Sequence, residues 1–209
     1  MKHLILSAAC CAVLAGPVAA ANFSFTGTLS EDDEVQFFDF AITTTSTVSF
    51  QSFQYGGGTQ ADGNVVSAGG FDSILSVFNV DTGELIDSND DGDPALVDPT
   101  TFNAFDTFLE LTLGVGNYTV AMSQFDNFAN GDLGDGFERD DEGNFTEQYG
   151  CSNAMFCDVD GNNRTNEWAF DILGVDEATV IPNAVPLPAG LPLLLAGLAG
   201  FGLMARRKS

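Results

Sequence analysis

Between residues 22 and 184 no stretch keeps the 3.6-residue apolar period of an amphipathic helix, whereas several keep a period of two. In the run 105–113, Phe105, Leu109, Leu111 and Leu113 share one face with Thr107, and Asp106, Glu110 and Thr112 take the other. Trp168, Phe170 and Ile172 alternate with Glu167, Ala169 and Asp171, and Tyr118, Val120 and Met122 alternate with Thr119, Ala121 and Ser123. Successive side chains of a strand point to opposite sheet faces, so this pattern predicts half-buried strands. Further strands are expected over 23–29, 35–42, 47–53, 71–80 and 84–87, separated by Gly56-Gly57-Gly58, Asp81-Thr82-Gly83 and the Gly-rich stretch 114–117. Many short strands with turn punctuation predict an all-β domain over 22–180, an antiparallel β-sandwich or jelly roll, with 127–166 as a loop-rich acidic insert. The 19 Phe residues are enough to fill such a core, which is their expected role, and Trp168 on its alternating strand is expected there too.

Charge narrows the chemistry. The 209-residue chain has 30 carboxylates and six Lys plus Arg. All the carboxylates lie between residues 22 and 185, where only Arg139 and Arg164 are basic, a formal −28. Nucleic-acid binding is excluded, because it needs Lys and Arg to neutralise phosphates. The single His is His3, and the middle of the chain has no Lys. Ser-His-Asp and Cys-His catalysis, His-bound metals, Schiff-base lysine and the P-loop are therefore excluded from it.

Both ends read as addresses. In residues 1–21 a short basic start, Lys2 and His3, precedes an apolar run ending in Ala19-Ala20-Ala21, the pattern of a secretory signal peptide cut after Ala21 or Ala20. At the other end Val185-Pro186-Leu187-Pro188-Ala189 follows a linker from 181, and precedes an apolar stretch over 191–205 and the basic end 206–209. The stretch is barely long enough to span a bilayer at 1.5 Å per residue, and Arg206, Arg207 and Lys208 would stay cytoplasmic. This tail resembles the PEP-CTERM class of bacterial sorting signals in its VPLPA variant. The resemblance implies export through the inner membrane, transient anchoring by the C-terminal transmembrane helix, and recognition by an exosortase-type membrane enzyme. The destination it implies is the cell surface or extracellular matrix, often with exopolysaccharide or biofilm.

A second resemblance covers residues 22–125. Phe71-Asp72-Ser73-Ile74-Leu75-Ser76-Val77-Phe78, then Thr82-Gly83-Glu84-Leu85-Ile86, Ser88-Asn89-Asp90-Asp91-Gly92 and the later Gly116-Asn117-Tyr118-Thr119-Val120 are similar to the bacterial pre-peptidase C-terminal domain, a small β-sandwich. The peptidase that usually accompanies that domain has no counterpart here, and the insert departs from a minimal module.

The densest chemical signal is Asp87, Asn89, Asp91 and Asp93 around Gly92, with Asp98 at the twelfth position. That spacing matches the start of a calcium loop, because alternate oxygen-bearing side chains around a Gly turn can converge on one ion. Pro94 and the absence of flanking helices separate it from an EF-hand, and a solvated acidic turn is the competing reading. Two weaker clusters are Asp126, Asn127, Asp132 and Asp135, and Asp158, Asp160 and Asn162, with Arg139 and Arg164 as local counter-charges. Lys depletion throughout also fits a surface adapted to salt. Cys151 and Cys157 are the only cysteines of the exported region and are expected to form a local disulfide.

Three functions follow from these features. The first is a non-enzymatic surface or matrix protein with a calcium-stabilised sandwich. The second is a glycan-binding module or adhesin using Trp168, Tyr55, Tyr149 and Phe side chains. The third is a hydrolase working with carboxylates alone, which would need a suitably spaced Asp/Glu pair.

Overall fold

A computed structural model describes residues 20–92, 96–151 and 155–182. The expected signal peptide before residue 20, the VPLPA motif at Val185–Ala189, the apolar span, the basic end and Asp93 all lie outside the described residues. Among those described, no helix is long and apolar enough to cross a membrane.

The strands are β1 (Ala21–Thr28), β2 (Gln36–Ile42), β3 (Ser46–Ser52), β4 (Gly58–Thr59), β5 (Val65–Val66), β6 (Ser73–Asn79), β7 (Leu85–Asn89), β8 (Phe108–Leu113), β9 (Gly116–Gln124), β10 (Phe156–Cys157), β11 (Asn163–Arg164), β12 (Glu167–Val175) and β13 (Glu177–Ile181). Every strand pair is antiparallel, and the described helix is limited to single 3₁₀ turns at Leu133–Asp135 and Phe145–Tyr149. Two large sheets form, ordered β1-β12-β3-β8 and β13-β2-β9-β6-β7. They face each other across one apolar cluster in a sandwich-like arrangement. β2 shows why: Gln36, Phe38, Phe40 and Ile42 are buried while the residues between them are only partly so. Phe38 meets Trp168 edge-on at 5.4 Å and Phe170 at 4.8 Å, and Phe40 meets Phe50 at 5.4 Å, all across the gap between sheets. Fully buried Phe side chains each contribute about 1.5–3 kcal/mol. Repulsion among exposed carboxylates is screened beyond about 10 Å at 0.1 M salt.

The period-two reading understated burial on the outer faces. Ala169 and Asp171 of β12, expected outside, are buried because the strap carrying β4 and β5 lies over them. Gln60 Nε2 donates to the Phe25 and Phe170 carbonyls and to Asp171, and Ala61 N–H donates to Asp171 at 2.7 Å. On the other sheet the insert supplies Phe137, which packs with Phe78, Ala121 and Phe37. The insert also carries the disulfide Cys151–Cys157.

One long edge is stitched between the sheets. Asn89 Nδ2 donates to the Phe108 carbonyl at 2.8 Å, and Phe108 N–H donates to the Asp91 carbonyl at 3.4 Å, tying the end of β7 to the start of β8. Gly92 lies at this seam. A Cβ there would stand 2.1 Å from Phe108 N and 2.7 Å from the Asp106 carbonyl oxygen, and its φ is not left-handed. Close backbone approach, and not a tight turn, is what requires glycine at this position.

Candidate functional site

Buried carboxylates in this fold are mostly clamps on loops. Asp106, expected on an outer face, is buried ahead of β8; its oxygens accept from Ser52 Oγ, Tyr55 N–H and Gly56 N–H at 2.6–3.1 Å. Burial pushes its carboxyl up to about 6, against the pull of those hydrogen bonds and of Arg164. Asp32 accepts from the Asn144, Phe145 and Thr146 amides and the Thr146 hydroxyl, pinning the 3₁₀ turn of the insert to the sandwich. Asp158 accepts from the Tyr55 hydroxyl at 2.7 Å and from Asp160 N–H and Asn162.

Arg164 gathers these loops. Its guanidinium donates to the Gly70 carbonyl (2.9 Å), the Tyr55 carbonyl (2.9 Å) and Asp98 (2.8 Å), and lies 3.7 Å above the Tyr55 ring. Both members of the Arg164–Asp98 pair are buried. Burial raises the Asp98 carboxyl, but Thr100 N–H, Arg164 and Thr101 N–H together hold it below its ordinary value. Burial pushes the Tyr55 hydroxyl up to about 12.

The residues read as a calcium loop are divided by this arrangement. Asp87 and Asn89 lie within β7, where Asp87 accepts from Ser88 N–H and the Asn89 amide nitrogen serves the β7–β8 seam. Asp91 follows, exposed, and Asp98 is committed to Arg164. Asp126 pairs with Arg139, which also reaches Glu142 at 3.2 Å. Asn127 is fully buried, with Arg139 N–H donating to its side chain. Asp135 accepts from Asp132 N–H at 3.0 Å. Asp158, Asp160 and Asn162 form one turn closed by Asp158, while Asp160 accepts from Asn103 at 2.7 Å. Among the described residues no three Asp, Glu, His or Cys side chains converge as a ready-made metal cage.

Among the described residues four buried side-chain atoms have no hydrogen-bond partner: Asp72 Oδ1, Gln124 Oε1, Gln54 Nε2 and Trp168 Nε1. They sort by chemistry. The first two are acceptors on residues at the junction of β6 and β9, where Ser73 pairs with Gln124. The last two are donors on residues that line one groove of about 330 Å³, together with Gly27, Ser67, Gly70 and Glu167. A second groove, of about 320 Å³, runs over β13, β2 and β9 and includes Asp39 and Glu177. Asp72 and Asp106, whose carboxyls are raised by burial, line neither groove. Sequence reasoning singled out neither Asp72 nor Asp106 as a site. Their signal was an acidic residue set at the margin of an apolar strand.

No family model and no curated protein matches the chain.

Proposed function

We propose that this chain is an exported, non-enzymatic protein of the cell surface or extracellular matrix. Its acidic β-sandwich is stabilised by calcium, and its VPLPA tail is a substrate for an exosortase-type enzyme. The observation that carries the non-enzymatic part is the deployment of the buried carboxylates. Asp32, Asp98, Asp106 and Asp158 spend their oxygens on loop amides, hydroxyls and Arg164, a use that ties loops to the sandwich and leaves these oxygens committed within the protein. The ends of the sequence support export and sorting, with exopolysaccharide as the matrix partner. Fractionation of the full chain in an exopolysaccharide-producing Gram-negative host tests this. The mature protein is expected to begin at Asn22 or Ala21 and to be recovered with the matrix, and deletion of residues 191–209 should release it in soluble form. A start at Met1, or a truncated chain still in the membrane fraction, refutes it.

One observation favours a second reading, a glycan-binding module. Gln54 Nε2 and Trp168 Nε1 are two unpaired donors under one groove. Neutral hydroxyl oxygens would answer them, whereas an anion would meet Glu167 and the overall negative charge. Trp168 is buried against Phe38, so recognition would proceed by hydrogen bonds and not by an exposed stacking platform. As the only Trp, it reports directly. Titration with neutral hexoses and their oligomers should shift its emission, and Ser67→Phe, at an exposed lining position, should abolish the shift. An emission unchanged by every sugar refutes this reading.

A further inference from the structure

We infer that Asn117, Asn144 and Asn163 are acceptor sites for N-linked glycans, attached as the chain emerges from the membrane and before it folds. The inference rests on the export proposed above.

Four asparagines stand in the pattern Asn-x-Ser/Thr with no Pro at x: Asn22-Phe23-Ser24, Asn117-Tyr118-Thr119, Asn144-Phe145-Thr146 and Asn163-Arg164-Thr165. A glycan-transferring enzyme reads that pattern in an exported chain. The fold supplies a second, independent observation, because it sorts the asparagines by use. Among the described residues there are twelve, four inside the pattern and eight outside it. All four inside are exposed, against only Asn64 and Asn130 of the eight outside. Seven of those eight spend the side chain on a hydrogen bond within the protein, as Asn127 does on the Asp33 carbonyl at 3.0 Å and Asn166 on the Leu29 carbonyl at 2.7 Å. Inside the pattern Asn144 alone is so engaged, donating to the exposed Glu147. The Asn22, Asn117 and Asn163 side chains hold no partner among the described residues. A glycan is bulky and hydrated, so the side chain that carries it must face outward and be free of structural duty. Asn22 is set aside, because the proposed mature chain begins at it or one residue before and offers an enzyme nothing to hold on that side.

The hydroxyls two residues on fix the order of events, since the enzyme must reach them too. Thr119 is buried and donates to Asp39 at 2.6 Å. Thr146 is buried and donates to Asp32 at 2.6 Å and to the Met155 carbonyl at 3.0 Å. Only Thr165 stays exposed beside its asparagine, with Arg164 turned inward between them. Transfer to Asn117 and Asn144 therefore precedes folding, after which the sandwich closes on the hydroxyl and leaves the glycan outside. The donor is an oligosaccharide on a polyprenyl diphosphate. Asn Nδ2 bonds to the anomeric carbon and gives up one proton, the carbon–oxygen bond to the diphosphate breaks, and the diphosphate leaves with that electron pair. Nothing is oxidised or reduced.

The test expresses the full chain in a Gram-negative host supplied with a membrane oligosaccharyltransferase that reads Asn-x-Ser/Thr, its lipid-linked oligosaccharide and a control acceptor that becomes modified. Intact mass and peptide mapping of the exported chain should show whole-glycan increments at Asn117, Asn144 and Asn163. Thr165→Ala should clear Asn163 alone, and Thr165→Ser should keep it modified. Asn163→Gln removes no hydrogen bond and should melt within about two degrees of wild type. Chain purified and folded without glycan should accept none at Asn117 or Asn144 afterwards, and acceptance there overturns the order of events. A product that begins at Met1 and carries no glycan overturns export and this inference together. A product that begins at Asn22 or Ala21 and carries no glycan overturns this inference alone.

Discussion

Replacing Arg164 by Met should be among the most damaging single changes available in this protein. The side chain is of similar length and would leave no large void, so the effect is electrostatic. Three buried acceptors lose the guanidinium together: Asp98, which keeps the Thr100 and Thr101 amides, the Tyr55 carbonyl, which keeps Gly69 N–H, and the Gly70 carbonyl. Removing one partner of a buried ion pair costs about 3–5 kcal/mol, because the other charge stays uncompensated. The Gly70 carbonyl, left dry, adds about 1–3 kcal/mol. The total is comparable to the whole stability of a domain, about 5–15 kcal/mol. Urea unfolding followed by Trp168 fluorescence gives the loss. The expected result is a midpoint near zero urea or an unfolded chain at 25 °C. The double variant Arg164→Met with Asp98→Asn should recover about 2 kcal/mol or more of the loss, because the stranded charge is gone. Arg164→Lys should fall between, since an ammonium cannot reach three divergent acceptors from one position. A loss below about 1 kcal/mol for Arg164→Met, or strict additivity of the two changes, would refute the view that this guanidinium organises the loops.

Two further outcomes are specific. The Asp106 carboxyl is raised to about 6 in the fold from an ordinary 3.8, so the folded protein binds that proton more tightly than the unfolded chain does. Its contribution is therefore favourable at low pH and is lost as pH rises from about 4 through 6, on the order of 3 kcal/mol in total; urea midpoints across pH 4–7.5 should show this component in wild type and not in Asp106→Ala. Gly92→Ala should cost at least about 1–3 kcal/mol, because its Cβ would strike backbone that cannot turn aside. The loss should be the same in chelator and in calcium, and a loss seen only in calcium would return Gly92 to the role of a metal-loop turn.

The strand frame was legible because it rests on local periodicity. Trp168, Phe170 and Ile172 mark one face of a strand from three alternating positions, and all three lie in the core between the sheets. What escaped notice depends on contacts distant in sequence. Asp171 looked outward until the strap brought Gln60 over it, 111 positions away. Asp106 looked like the polar half of an alternation, but the strand begins only at Phe108, and the residues before it turn inward to clamp Tyr55 and Gly56. The spacing from Asp87 to Asp98 is a linear pattern, and Arg164 draws its last member away. β13 was not among the expected strands of the 22–180 domain, because Glu177, Thr179 and Ile181 are exposed and only its pairing with β2 makes it a strand. The 151–157 disulfide needed only the cysteine count and is present.

The order in which strands find partners also sets a schedule. Among the described residues β1 pairs only with β12, Ala21 opposite Val175 and Thr28 opposite Glu167. The outer edge of β2 waits for β13, whose last carbonyl, Ile181, is held by Gln36 Nε2 at 2.7 Å. The first strand to emerge from a ribosome or a translocon therefore closes with nearly the last, and a chain cut anywhere before residue 167 carries β1 with no ladder to join. Such long-range closures make for slow folding, commonly milliseconds to seconds, with unpaired edges exposed meanwhile. With the proposed tail still held in the membrane, β13 is the strand nearest the anchor and the last one free to dock. Under the proposed export, completion of the sandwich would then report that the chain has cleared the bilayer up to about residue 182, and the fold itself would mark that step.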